Sequence, residues 1–277
     1  MIETSRNPVA VLGCGGWGTA LAVHLASTGC PVRLWGRDEL LVRDLSESRE
    51  NSVYLPGTVL PESVEPMCSI EPALSGTRYV VVAVPSHGVR DLMRKLAGYV
   101  EPGVTIVSAV KGIEETTLLR MSQVIEEELQ LDRPIVVLSG PSFAAEVARG
   151  LPTAVVVSGD DEEAVTSVQH DFKSRTFRLY GTRDTVGVEV GGALKNVMAI
   201  AAGVVEALGL GHNALSAIIT RGLAESTRLA CAMGGQRETL SGLSGLGDLV
   251  LTCTGGLSRN RRLGLQIGQG QALPEIL

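Results

Sequence analysis

The sequence predicts an α/β protein, with a doubly wound, mainly parallel sheet over residues 1–184 and an all-helical domain over 185–277. Three observations predict it. Short β-branched runs alternate with helix-length segments through the first two thirds of the chain. Those runs are continuously apolar rather than alternating, the pattern of strands covered on both faces. Beyond residue 184 the strand signals fade and long apolar helical patterns replace them.

Taken in order, strands are expected at 8–13 (PVAVLG), 31–36 (PVRLWG), 79–84 (YVVVAV), 104–110 (VTIVSAV), 134–140 (PIVVLSG), 153–159 (TAVVVSG) and 177–182 (FRLYGT). Helices are expected at 17–29, 38–49, 116–129 and 160–173. In the C-terminal part, 185–206 reads as one long apolar helix and 213–233 as another. The second carries a stripe of Leu215, Ile218, Ile219, Gly222, Leu223, Leu229, Ala230 and Met233, with Arg221, Glu225 and Arg228 spaced to pair along one face. Residues 241–257 read as a glycine-rich loop. A chain of 277 residues is long enough for two domains, each with its own core.

Composition narrows the function classes. With 44% apolar and 19% charged residues the chain is a soluble globular protein and not a disordered one. A net charge of −6 argues against a nucleic-acid or anionic-membrane partner. The five cysteines, Cys14, Cys30, Cys68, Cys231 and Cys253, are odd in number and form no C-x-x-C pair, so reduced thiols in a cytoplasmic protein are expected. His24, His87, His170 and His212 are scattered, and no metal site is expected. The apolar start is interrupted by glycines and His24 short of the roughly 18 residues a membrane span needs, so no signal peptide or integral membrane contact is expected.

The segment VAVLGCGGWGTAL places Gly13, Gly15 and Gly18 in G-x-G-x-x-G spacing after one strand, at the start of a helix and before a second strand. That context makes it a Rossmann-type dinucleotide signal. Gly13 permits the tight turn, Gly15 admits a pyrophosphate, and Gly18 lets helix and strand pack closely. Gly16 and Trp17 lie where helix N-terminal amides meet phosphates. At the end of the second strand Gly36 stands where an acid would hold a ribose 2′-hydroxyl, and Arg37 follows. Arginine suits a 2′-phosphate, so NADP(H) is favoured; NAD(H) stays possible because Asp38 could serve it, or could cap the next helix.

In GGALKNVMAIAAGVV, Lys195 is the one charged residue among apolar side chains and glycine, beside Asn196. Such a lysine either snorkels to water at a helix end or is kept for its chemistry. Lys111 lies just beyond one strand, and Gly140, Ser142 and Ala144 in SGPSFAAE just beyond another, at the carboxyl ends where ligands bind. Read singly, Lys111 is a loop lysine and SGPSF a turn whose Ser142 caps a helix. Arg259 and Asn260 open a helix after Ser258, offering planar donors and helix amides to an anion; a solvated basic cap is the plainer alternative.

Together with ITRGLAE, GLGDLVLTCT and SRNRRLG, these segments resemble, in order and spacing from Val9 to about Gly270, the bacterial NAD(P)-dependent glycerol-3-phosphate dehydrogenase family. The resemblance implies reversible hydride transfer between NAD(P)H and dihydroxyacetone phosphate, giving sn-glycerol 3-phosphate for phospholipid synthesis, in a homodimer. By position it makes Lys195 the catalytic base. It puts Lys111, Gly140, Ser142, Asp248, Ser258, Arg259 and Asn260 with Lys195 on the substrate. It puts Gly16, Trp17, Arg37, Lys111, Ala144 and Arg259 on the cofactor. The chemistry fits: a neutral lysine takes the alcohol proton during oxidation, and the ammonium returns it during reduction. Asp248 is expected to bind a substrate hydroxyl or to orient Lys195. Family members continue through further helices where this chain ends at GQALPEIL, so a shortened C-terminal domain with exposed apolar surface is expected. Two alternatives stand beside this reading: a related hydroxyacid or opine dehydrogenase, and a nucleotide-binding protein whose catalysis the short C-terminus impairs.

Overall fold

The computed structural model describes residues 7–130 and 134–276. The chain divides into two compact units. The first holds the residues up to Leu138 together with Ala144–Thr153 and Val157–Arg183; the second holds Ser139–Phe143, Ala154–Val156 and the chain from Asp184 onward.

The alternating part begins with β1 (Val9–Leu12), α1 (Gly16–Ser27), β2 (Val32–Trp35), α2 (Glu39–Ser48), β3 (Val64–Met67), α3 (Ile70–Leu74) and β4 (Tyr79–Val82). It continues through α4 (Val89–Leu96), β5 (Thr105–Ser108), α5 (Met121–Leu129), β6 (Ile135–Ser139), α6 (Ala144–Ala148), β7 (Thr153–Ser158), α7 (Glu162–Phe172) and β8 (Phe177–Thr182). The eight strands form one sheet in the order β3-β2-β1-β4-β5-β6-β7-β8. The ladders from β3 to β6 are parallel, with Val9 opposite both Val32 and Tyr79 and Ile106 opposite Ile135. Strand order therefore reverses between β1 and β4, the switch point where doubly wound sheets bind ligands.

Every residue of β1, β4 and β5 is buried, as their unbroken apolar runs require. A core of Leu12, Val82, Met93, Ile106 and Ile125 joins the sheet to α4 and α5. The sequence reading lacked β3. Its Pro66 cannot donate to a ladder, but β3 sits at the sheet edge, where proline is tolerated. The helix expected at 116–129 begins only at Met121, because residues 115–117 form a turn, 118–119 are irregular and Arg120 is the N-cap.

The second unit contains α8 (Thr185–Ala207), α9 (Gly211–Ala232), α10 (Arg237–Ser241), α11 (Asp248–Thr254), α12 (Arg259–Gly268) and α13 (Leu273–Ile276). Among the described residues α8 is the one helix long and apolar enough to cross a membrane. Its neighbours explain that composition. Ala199 and Ala202 pack with Leu249, Cys253, Leu215 and Ile219, and Val190 packs with Ala230 and Leu240. Asp184 caps α8, accepting from Gly187 N at 2.8 Å through one oxygen and from Gln236 N at 2.8 Å through the other. The face α9 turns inward holds Leu215, Ile219, Leu223 and buried Gly222, while Leu229 and Met233 of the expected stripe are exposed. Among the described residues Arg221, Glu225 and Arg228 form no ion pair.

The glycine-rich stretch at 241–257 is largely helical. A π-helical turn, Leu243–Gly247, closed by Gly247 N donating to Gly242 O at 3.0 Å, runs straight into α11. Its glycines serve close approach: a Cβ on Gly245 would fall 2.0 Å from Leu240 O, and one on Gly191 of α8 would fall 2.5 Å from Ser244 O.

Candidate active site

In the first unit β1 delivers the chain into the turn Gly13–Gly15 and out into α1. Gly13 has φ +125°, and a Cβ there would lie 2.8 Å from Ala83 O; on Gly18 it would lie 1.9 Å from Gly13 O. Both positions therefore exclude any side chain. Around Gly15, by contrast, nothing lies within 4 Å of an added Cβ, so the backbone there is open to a ligand. α1 has no side-chain cap and no acidic residue in its first turn. Its first amides are thus not capped by a side chain and are suited to phosphate. Trp17 Nε1 is enclosed and has no acceptor among the described residues. Ala144, opening α6, lies 3.9 Å from a Cβ placed on Gly16. These features fit a dinucleotide.

At the end of β2, Gly36 is buried and Arg37 exposed. Asp38 is the cap of α2, accepting from Leu40 N at 3.0 Å and Leu41 N at 3.2 Å, which is the second of its two expected roles. Lys111, half-buried, follows β5 in a loop whose Glu114 is held by Arg90 through two bonds of 2.8 Å. The Arg90 guanidinium and the Thr117 hydroxyl beside it draw the Glu114 carboxyl down to about 2.

One residue of this turn escaped the sequence reading. Asn51, fully buried, donates to Cys14 O at 2.8 Å and Thr19 Oγ1 at 2.7 Å, and accepts from Tyr54 N at 3.0 Å. It stitches residues 51–55 to the glycine turn, bringing the Tyr54 carbonyl within 2.7 Å of where a Gly16 Cβ would be. An asparagine in a polar segment carries no periodic signal, so only the fold discloses it.

In the second unit Lys195, projecting from the middle of α8, meets α11. Its Nζ donates to Asp248 Oδ1 at 2.5 Å and to Thr252 Oγ1 at 3.1 Å. The Asp248 side chain is 1% exposed and that of Lys195 11%. The ammonium is therefore not a snorkelling one; it is paired inside the unit, beside a small pocket also lined by Gly191, Ser226, Leu240, Gly245 and Leu249. Thr252 sits one helical turn beyond Asp248 and gives its proton to Asp248 O at 2.6 Å, so it receives the Lys195 bond as acceptor. Cys253 lies behind the pair, its thiol pushed up to about 11 by burial, with the Lys195 charge pulling the other way.

Ser258 caps α12, its hydroxyl accepting from Arg261 N at 3.2 Å, and is 3% exposed. Arg259 is exposed and Asn260 half-buried in the first helical turn. Arg261 turns instead to Glu206 of α8 at 2.6 Å. In the segment Ser139–Phe143, Gly140 has φ +135° and its carbonyl accepts from Ser142 Oγ at 3.0 Å. Ser142 thus closes its own turn, and α6 begins only at Ala144.

The family profile of the NAD-dependent glycerol-3-phosphate dehydrogenase N-terminus matches residues 8–165, and that of its C-terminus residues 184–277. The glycerol-3-phosphate dehydrogenase (NAD(P)+) of Koribacter versatilis is 48% identical over 97% of this chain and 81% of its own length. That of Thioalkalivibrio sulfidiphilus is 50% identical over 99% and 82%. The 2.1 Å crystal structure of glycerol-3-phosphate dehydrogenase from Coxiella burnetii superposes with a TM-score of 0.95 at 39% identity, covering 98% of this chain and 83% of that one. With its glycine turn, its buried Lys195–Asp248 pair and these matches along nearly its whole length, the chain belongs to the NAD-dependent glycerol-3-phosphate dehydrogenase family.

Proposed function

We infer that the chain is a glycerol-3-phosphate dehydrogenase that interconverts dihydroxyacetone phosphate and sn-glycerol 3-phosphate with NAD(P)(H), feeding glycerophospholipid synthesis. The observation that carries the catalytic part of this reading is the Lys195–Asp248 pair, a proton donor enclosed in the protein and held by its own counter-charge. The cofactor, when bound, supplies the hydride that reaches the ketone carbon.

Lys195 donates a hydrogen bond to the ketone oxygen, stabilises the charge that develops there and passes it the proton. In the reverse direction the neutral amine takes that proton back. Asp248 and Thr252 hold the ammonium in a fixed direction, from which it donates to substrate. Arg259, Asn260 and the first-turn amides of α12 hold the substrate phosphate, with Ser258 shaping that helix end and Lys111, Gly140 and Ser142 completing the substrate set. Gly13, Gly15, Gly16, Trp17 and Gly18 hold the pyrophosphate, with Arg37, Lys111, Ala144 and Arg259 as further cofactor contacts. Support for these roles comes from motif position together with the local geometry of each unit.

NADP(H) is the favoured cofactor, because Arg37 is exposed and the Asp38 carboxylate is engaged in capping α2. A domain boundary at 184/185, a cytoplasmic homodimer and the absence of a nucleic-acid partner complete the proposal; sedimentation of the purified chain tests the dimer. The activity itself is tested by mixing the protein with dihydroxyacetone phosphate and NADPH and following the nicotinamide absorbance. Loss of absorbance is expected. No loss with NADPH or with NADH would overturn the reading.

A further inference from the structure

We propose that Cys14, the residue between the first two glycines of the turn, is a determinant of cofactor choice, because its side chain fills the space that an acidic selector on Gly36 would need. This rests on the reading of the first unit as the NAD(P)(H) site. Cys14 and Gly36 follow neighbouring strand ends: Gly13 N donates to Trp35 O at 2.8 Å, and Gly36 N to Met67 O at 3.0 Å. A Cβ built on Gly36 would lie 2.5 Å from Cys14 Sγ and 2.9 Å from Val42 Cγ2 of α2. Both distances are shorter than non-bonded atoms accept. Gly36 does not have a positive φ, so its backbone does not call for glycine. The space does.

Cys14 is itself held in place. It is 5% exposed, and its carbonyl accepts from Asn51 Nδ2 at 2.8 Å and from Thr19 Oγ1 at 3.4 Å. Burial, followed by the neighbouring Cys68 and Asp38, pushes its thiol up to about 12, so it acts as a neutral filler and not as a charge. In doubly wound folds a carboxylate at the end of the second strand binds the ribose 2′-hydroxyl and repels a 2′-phosphate. A carboxylate at 36 fits only if Cys14 Sγ and Val42 Cγ2 both shift, the thiol, at 2.5 Å, by the larger amount. The adjacent acid, Asp38, spends Oδ1 on Leu40 N and Leu41 N. The side chain left free at the strand end is the exposed Arg37, whose guanidinium suits a 2′-phosphate.

The test is the dissociation constant of NADPH and of NADH, read by cofactor fluorescence on the ligand-free protein, with a melting curve for each variant. The set is the unaltered protein, Gly36→Asp, Cys14→Ala/Gly36→Asp, Gly36→Ala and Cys14→Ala/Gly36→Ala. The unaltered protein is expected to bind NADPH more tightly than NADH. Gly36→Asp should weaken both by about tenfold or more, and the double variant with Asp should recover NADH binding and reverse the preference by at least about tenfold in the ratio of constants. Gly36→Ala, which adds the Cβ alone, should weaken NADPH binding and be rescued by Cys14→Ala, which keeps the proposal testable if the aspartate variant misfolds. A Gly36→Asp protein that prefers NADH at full affinity would overturn the role of Cys14, as would a double variant that still prefers NADPH, or a Gly36→Ala variant that binds normally. Failure of the unaltered protein to bind either cofactor would instead overturn the dinucleotide reading on which the inference rests.

Discussion

Replacing Lys195 with methionine should destabilise the second unit more than it should disturb its packing, because the methylene stem is kept and only the charge is lost. Asp248 would then hold a carboxylate 1% exposed, with its 2.5 Å donor gone. Thr252 has a single hydroxyl proton, already given to Asp248 O at 2.6 Å, and its 3.3 Å contact with Oδ1 offers poor compensation. Removing one partner of a buried pair costs about 3–5 kcal/mol, and the 11% exposure of Lys195 admits some water and places this case near the lower end. A loss of about 3 kcal/mol corresponds to a melting point lower by roughly 6–12 °C in a chain of this size. Adding Asp248→Asn removes the carboxylate charge that Lys195 had balanced while keeping its shape, and should restore at least half of the loss. Urea and thermal unfolding of the two variants at pH 7 provide the assay. A Lys195→Met protein as stable as the parent, or a double variant no more stable than the single, would refute the view that the buried Asp248 charge depends on Lys195.

Asn51→Asp exchanges the donor amide for a second acceptor facing Cys14 O and Thr19 Oγ1; NADPH binding should weaken by about tenfold, while KM for dihydroxyacetone phosphate at saturating cofactor stays within twofold. Equal changes in both constants would argue against a role confined to the glycine turn. His24 is buried with Nε2 2.7 Å from Phe172 O, and burial holds its imidazole below the usual 6.5, the carbonyl opposing. The unfolded chain therefore takes up the proton first, so the stability tied to a neutral His24 is complete above pH 6.5 and drains as pH falls through the lower folded value. His24→Gln, which keeps a donor to Phe172, should flatten the urea midpoint between pH 7 and pH 5; parallel profiles would exclude His24 as the cause. A Cβ on Gly203 of α8 would lie 2.1 Å from Arg261 O, so Gly203→Val should cost about 3 kcal/mol or more and separate α12 from α8, which circular dichroism melting would register. A melting curve unchanged by that substitution would contradict the close approach.

Much of the frame could be read from the chain because the signal was local. The strands β1, β4 and β5 are buried on both faces and so lack polar alternation, and α8 differs from its expected bounds by one residue because an unbroken apolar pattern follows the capping Asp184. Where the signal was tertiary, reading failed. Pro66 hid an edge strand whose tolerance for proline depends on its place in the sheet. The glycines around Asp248 looked like loop punctuation, whereas they let a π-turn press against α8. Lys195 and Asp248 are 53 residues apart, and no spacing rule joins them. Thr252 became visible only once Asp248 was seen at the start of a helix, one turn before it.

The most direct measurement is turnover of dihydroxyacetone phosphate with NADPH by Lys195→Met, set beside its NADPH dissociation constant at a temperature where the variant is folded. Turnover should fall by about 10²–10⁴-fold while cofactor affinity stays within twofold, since a proton donor is lost and the glycine turn is untouched. Turnover within tenfold of the parent, with cofactor affinity unchanged, would remove Lys195 as the residue that moves the proton.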